Sequence, residues 1–271
     1  MFGSLGLYSG VGSQAQIVFN GYSIHDPAEG LVVQRLRADN MPSRSLRLED
    51  VPRNNGRYIT GDYFRTKSIP LKGVIKKATS ELLEEELFLM KKALSKRERI
   101  LDITVNDVIY RWIATLTNGD RMFDRREGYH VTVVPFDLEF DSVEPFGKSI
   151  EYESVAWIDE TRLDFDEELT HDGNAEAKLV LILNFTAAVS ITQISFTNNT
   201  REESIVLTQA ISAGDYVRFD SEEQEVTVNG APVDFFGTFP VLDPGVNSFT
   251  LALTGTSAEF TMTAKHKKTY Y

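Results

Sequence analysis

Four histidines are the side chains best suited to hold a metal or move a proton here: His25, His130, His171 and His266. No two stand three or four positions apart and no HExxH occurs, so a zinc site would need distant residues to converge. No metal site is expected. Cysteine is absent, which removes thiolate ligands, thiolate nucleophiles and disulfides. Neither a GxSxG elbow nor a Walker loop is present. Asp164, Asp166, Glu167 and Glu168 cluster without the glycine and spacing of a calcium hand, and they read as a solvated acidic linker. Glycoside hydrolysis needs two carboxylates a few ångströms apart, one in a dry pocket. Among the 40 acidic residues nothing marks such a pair. The GVGSQA run at residues 10–15 partly matches a dinucleotide fingerprint. The residues after it read as a strand, so the phosphates would lack a helix N-terminus. No catalytic residue and no cofactor is expected. Sugar binding without catalysis uses exposed aromatic rings, for which Tyr216, Phe219, Phe235, Phe236 and Phe239 are the candidates. Phe235 and Phe236 lie beside a turn, although core or inter-domain packing is the simpler use of such rings.

The elements that would position these residues are mostly strands around one helix. Leu83, Leu87, Met90 and Leu94 recur at spacings of four, three and four, which places them on one face of a helix over about 79–98. Thr79 or Ser80 can cap it, glutamates fill its early turns and lysines its late ones. The leucine stripe is expected to plug one face of a sheet. SIPLKGVI before the helix, and ILDITV and DVIYRWIATL after it, read as strands. Val134, Phe136, Leu138 and Phe140 alternate as in a half-buried strand.

Net charge divides the chain. Residues 1–150 carry 21 basic and 20 acidic side chains, a balance of +1, whereas residues 151–271 carry 7 and 20, a balance of −13. So sharp a difference argues for two domains, 1–150 and 151–271, with a linker over about 141–178. The acidic half would repel a nucleic-acid backbone, which argues against sequence-reading DNA binding. The opening residues contain no basic residue and no long apolar run, so no signal peptide is expected, and no stretch approaches a membrane span. The second half is strand-patterned throughout, with turns at Asn198-Asn199, Gly214-Asp215, Asn229-Gly230 and Pro244-Gly245, as in an antiparallel sandwich. Between about 37 and 66 lies a turn-rich arm bearing arginines interleaved with acids, including Arg44, Arg47, Arg53 and Arg57. A connection of this length is usually ordered by a partner, and an inter-subunit contact is expected of it.

The order of these elements resembles the distal tail proteins (Dit) of siphophages. The likeness rests on the arginine-bearing arm, the IPLKGVI strand, the single helix and the strand pair ending at Leu116. It rests also on ISFTNNTREESIVLTQAISAGDYVRFDSEEQEVTVNG and on FPVLDPGVNSFTL. The resemblance implies a mainly β fold: an N-terminal tail-tube-like β-barrel or sandwich with one helix, and a C-terminal galectin-like or carbohydrate-module-like sandwich. It implies a structural virion protein without enzymatic activity, made in the host cytoplasm and located at the tail tip. Six copies would form a ring joining the tail-tube protein to the tip hub, with DNA only in transit through its channel and no contact with membrane. The second domain would dock tip or receptor-binding proteins, and no insertion in it suggests a grafted sugar-binding module. The alternative is a carbohydrate-binding adhesin that works through the C-terminal sandwich, with Tyr216, Phe235, Phe236 and Phe239 as contacts.

Overall fold

The computed structural model describes residues 16–38, 41–50, 57–105, 108–120, 122–123, 132–187, 190–256 and 259–271. Contacts divide the chain into two compact units, Met1–Lys148 together with Tyr271, and Ser149–Tyr270. Strands in the first are β1 (Gln16–Phe19), β2 (Tyr22–Ser23), β3 (Leu31–Leu36), β4 (Arg44–Asp50), β5 (Arg57–Phe64) and β6 (Ser68–Lys76). Helix α1 (Ser80–Leu94) follows, then β7 (Arg99–Val105), β8 (Val108–Leu116), β9 (Val133–Ser142) and the start of β10 (Gly147–Glu160).

Antiparallel pairing gives the order β2-β1-β7-β8-β9-β6-β3. Among the described residues the sheet does not close into a barrel. Alternation along each strand sends one set of side chains inward. Ile17 and Phe19, Leu101 and Ile103, and Leu138 and Phe140 are all buried. Onto this face α1 lays Leu83, Leu87, Met90 and Leu94, the stripe expected from spacing. Thr79 is the N-cap, its hydroxyl accepting from the Leu82 amide at 3.3 Å. The helix stops at Leu94 with Ser95 as its C-cap, so Lys96, Arg97 and Glu98 lie beyond it and the expected span to 98 is too long. The Asn20-Gly21 turn between β1 and β2 has φ of 50° and 79°, the left-handed pair that a two-residue hairpin requires.

The second unit holds β11 (Asp164–His171), β12 (Ala177–Ala187), β13 (Ser190–Asn198), β14 (Glu203–Ser212), β15 (Tyr216–Asp220) and β16 (Glu225–Val228). It ends with β17 (Ala231–Pro232), β18 (Phe236–Gly237), β19 (Val241–Leu242), β20 (Gly245–Gly255) and β21 (Glu259–Tyr270). One sheet has the order β11-β20-β13-β14-β18, and it faces strands ordered β17-β16-β15-β12-β21-β10. Phe165, Leu183, Phe185, Phe196, Leu251 and Phe260 belong to the core between them, so this unit is an antiparallel sandwich.

The stretch 141–178 is not a linker. It carries β10 and β11; three of the acids, Asp164, Asp166 and Glu168, form the exposed outer row of β11, whereas Glu167 is half-buried on the inner row with the buried Phe165, Leu169 and His171. Their strand pairs along its whole length with β20, and Thr250 donates a hydrogen bond to Asp166. Three buried side chains at irregular spacing hide the two-residue period among many carboxylates.

Candidate assembly surfaces

Among the described residues no group of three or more His, Asp or Glu side chains is placed to hold a metal. Two of the four histidines do converge. His171 and His266 are each 1% exposed, with ring centroids 5.1 Å apart in an edge-to-face arrangement. His171 Nε2 lies 2.9 Å from the Ala175 carbonyl, so that nitrogen donates and Nδ1 is bare. Both Nδ1 atoms, and Nε2 of His266, lack a hydrogen bond. The Glu153 carboxylate stands 3.4 Å from His266 Nε2, and Lys268 bridges Glu153 and Asp172 beside it. Burial, then the neighbouring imidazole, lowers the His266 pKa from 6.5 to about 4, and burial lowers that of His171 as well. His25 is elsewhere, its Nδ1 accepting from the Val33 amide at 3.0 Å, and His130 lies outside the described residues.

The arm proves to be a ribbon. Among the described residues β4 and β5 pair only with each other, from Arg44 opposite Phe64 to Asp50 opposite Arg57, with a register shift between Arg47 and Leu48. A two-stranded ribbon has no interior of its own. Leu46, Leu48 and Tyr63 are therefore left 49%, 47% and 61% exposed. Arg44 is bound within the ribbon, 2.8 Å from Asp62 and over the Phe64 ring, and Arg47 reaches to within 3.9 Å of Glu49 at 77% side-chain exposure. Arg53 and the side chain of Arg57 lie outside the described residues.

Two further surfaces carry apolar side chains into solvent. On β7 and β8 the inward row is Leu101, Ile103 and Trp112; the outward row includes Ile100, Ile109 and Ile113, with Ile100 paired to Ile113. Between them Asp102 accepts two hydrogen bonds from Arg111, both at 2.7 Å, and this bidentate grip raises the guanidinium pKa. On α1, Leu82, Phe88 and Leu89 are 47%, 65% and 43% exposed on the side away from the core, beside the exposed Glu81 and Glu85. These residues were legible in principle, as apolar positions off the leucine stripe and on the second row of each strand.

The aromatic candidates of the sandwich do not form one platform. Phe239 is a core residue at 4% exposure, and Phe235 packs edge-on against it at 4.9 Å. Tyr216 is half-buried in β15, opposite Asn184. Phe219 is buried. Phe236 alone of the five stands clear, 71% exposed and opposite Val206 at the edge of the five-stranded sheet.

Residues 172–270 match the family described as siphovirus-type tail component, C-terminal domain. No curated protein matches the chain. Among solved structures, the SPP1 Dit protein, described as a paradigm of the hub adsorption apparatus in phages infecting Gram-positive bacteria, aligns with a TM-score of 0.60. Identity to it is 14%, with 93% of this chain and 98% of that chain covered. The phage P2 baseplate in its activated, calcium-bound conformation aligns at a TM-score of 0.40 and 10% identity, covering 92% of this chain and 97% of that one. This chain is thus similar to siphophage tail components. Its C-terminal domain is of the siphovirus tail-component family, and its fold is that of a distal tail protein.

Proposed function

We propose that six copies close a ring through the first unit, as the distal tail adaptor between the tail tube and the tip hub. The ring encloses a channel through which DNA passes. The two units are the ring-forming domain and a rim domain, and the acidic rim docks tip or receptor-binding proteins. No catalysis is involved. The observation that carries this reading is the ribbon: β4 and β5 expose Leu46, Leu48 and Tyr63 with no third strand to cover them. Such a ribbon is marginal in water, and repeated contact around an axis would bury it. The outward isoleucines of β7 and β8 are a second surface of the same kind. The role of SPP1 Dit in a hub adsorption apparatus supports the same placement.

Labelled antibody against this chain, imaged on intact particles, tests the proposal. Label at the junction of tail tube and tip is expected; label on the capsid, along the whole tube, or absent from particles would overturn it. A second reading, glycan adhesion through the sandwich, has one observation in its favour, the open ring of Phe236. Binding of a cell-wall glycan that Phe236→Ala abolishes would support it.

A further inference from the structure

Residues 151–271 hold 7 basic side chains against 20 acids, and four of the seven share one surface. It is the solvent face of the sheet that contains β15, β12 and β21. Leu179, Leu181 and Leu183 turn from β12 into the core, so Lys178, Val180 and Ile182 face out. By the same alternation Lys265 and Lys267 face out from β21, whose Met262, Ala264 and His266 are buried, and Arg218 faces out between Val217 and Phe219. Lys265 stands opposite Val180, and Arg218 opposite Ile182. One step past the Leu179–His266 pair, the ladder brings Lys178 beside Lys267. Neighbours across a ladder are about 5 Å apart and alternate residues of a strand about 7 Å, so the three lysines fall in one small triangle.

Arg218 is bound to Asp220, and Lys268 bridges Glu153 and Asp172. Lys178, Lys265 and Lys267 have no carboxylate partner among the described residues. Lys267 Nζ stands 4.6 Å over the ring of Tyr152, itself 45% exposed. Val180 lies on the outward row and is yet 4% exposed, as expected where long side chains lay their stems across a short one.

We propose that this face binds an extended, flexible polymer that carries phosphate groups, with Lys178, Lys265 and Lys267 each neutralising one phosphate. An ammonium on a flexible stem meets phosphate as a point charge, without a fixed geometry, whereas lysine is depleted in the cores of protein–protein interfaces. The patch is narrow. Glu222 and Glu225 close it at the β15–β16 turn, where the Tyr152 hydroxyl lies 3.4 Å from Glu222. A single chain can follow the lysines without crossing those acids; a nucleic-acid duplex would set its other phosphates against them. The remaining carboxylates of the unit act weakly beyond about 8 Å at physiological ionic strength, so the cations at contact decide. The face lies wholly in the second unit, so binding does not depend on whether copies close a ring.

Linear inorganic polyphosphate, titrated into the full chain at physiological salt and followed by calorimetry, tests this, with polyglutamate of matched charge and a DNA duplex for comparison. Polyphosphate is expected to bind most tightly of the three, and less tightly as salt is raised. Lys265→Gln with Lys267→Gln is expected to weaken it about tenfold or more and to flatten the slope of log affinity against log salt by about one to two. Lys265→Arg with Lys267→Arg keeps both charges and is expected to retain binding. Lys92→Gln with Lys96→Gln, on and just beyond α1, removes the same net charge from the first unit and is expected to change nothing. Absence of polyphosphate binding, a loss as large in the Lys92 and Lys96 variant, or loss in the arginine variant overturns the proposal. Tighter binding of polyglutamate or of the duplex overturns it in favour of an acidic protein or of nucleic acid.

Discussion

Acid should loosen the second unit well before its carboxylates titrate fully. The perturbation is a fall in pH from 7.5 to 4, and the responding group is His266, buried against His171 and held near a pKa of about 4. In the unfolded chain the same imidazole titrates near 6.5, so between 6.5 and 4 the unfolded state binds the extra proton and the folded state does not. Stability therefore rises with pH across that window and is lost as pH falls. One proton contributes at most about 1.4 kcal/mol per pH unit, and the gap from 6.5 to about 4 amounts to roughly 3 kcal/mol. His171 shifts in the same direction and steepens the loss. Glu153 and Asp172 can compensate a new charge only in part, because Lys268 already engages both. Hydrogen exchange followed by mass spectrometry resolves the effect by segment. Protection across β11, β12 and β21 should drop between pH 6.5 and 4.5, and His266→Phe should flatten the dependence. Ring proton shifts of His266 that titrate near 6.5, or protection that is level through the window, would refute the reasoning.

Other perturbations act on packing and caps in the first unit. In Gly147→Ala the new Cβ would stand 2.4 Å from the Trp112 ring, which is 2% exposed, and a loss of about 1–3 kcal/mol with altered tryptophan fluorescence is expected in urea melts. Leu87→Ala opens a cavity beneath α1 at a position 1% exposed and should cost about 2–5 kcal/mol in the same assay. Thr79→Ala removes the acceptor for the Leu82 amide and should cost about 1 kcal/mol, which Thr79→Ser should largely avoid.

Local chemistry made much of this fold readable. The spacing of Leu83, Leu87, Met90 and Leu94 predicts a buried stripe, and all four are buried. Asn-Gly pairs predict hairpins because few other residues tolerate positive φ twice in succession, and Asn20-Gly21 and Asn229-Gly230 both adopt it. What escaped was non-local. The convergence of His171 and His266 depends on how β11 and β21 are placed, 95 positions apart, and no spacing rule reaches that far. Strand β11 is hidden by its own carboxylates, three of which sit on the outer row where charge is free to accumulate. Phe235, Phe236 and Phe239 have the same composition and nearly the same position, yet one is core, one leans on it and one is open. The exposed Leu82, Phe88 and Leu89 are masked in the sequence by the leucine stripe, which accounts for the helix without them. Apolar residues left over after a core is satisfied are the signal for a surface awaiting a partner.

The mass of the purified full chain in native mass spectrometry tests self-assembly most directly. A species of six copies of 30.5 kDa, about 183 kDa, is expected, and shortening the β4–β5 ribbon should return it to single copies. A single 30.5 kDa species at every concentration, or an assembly indifferent to loss of the ribbon, would contradict the account.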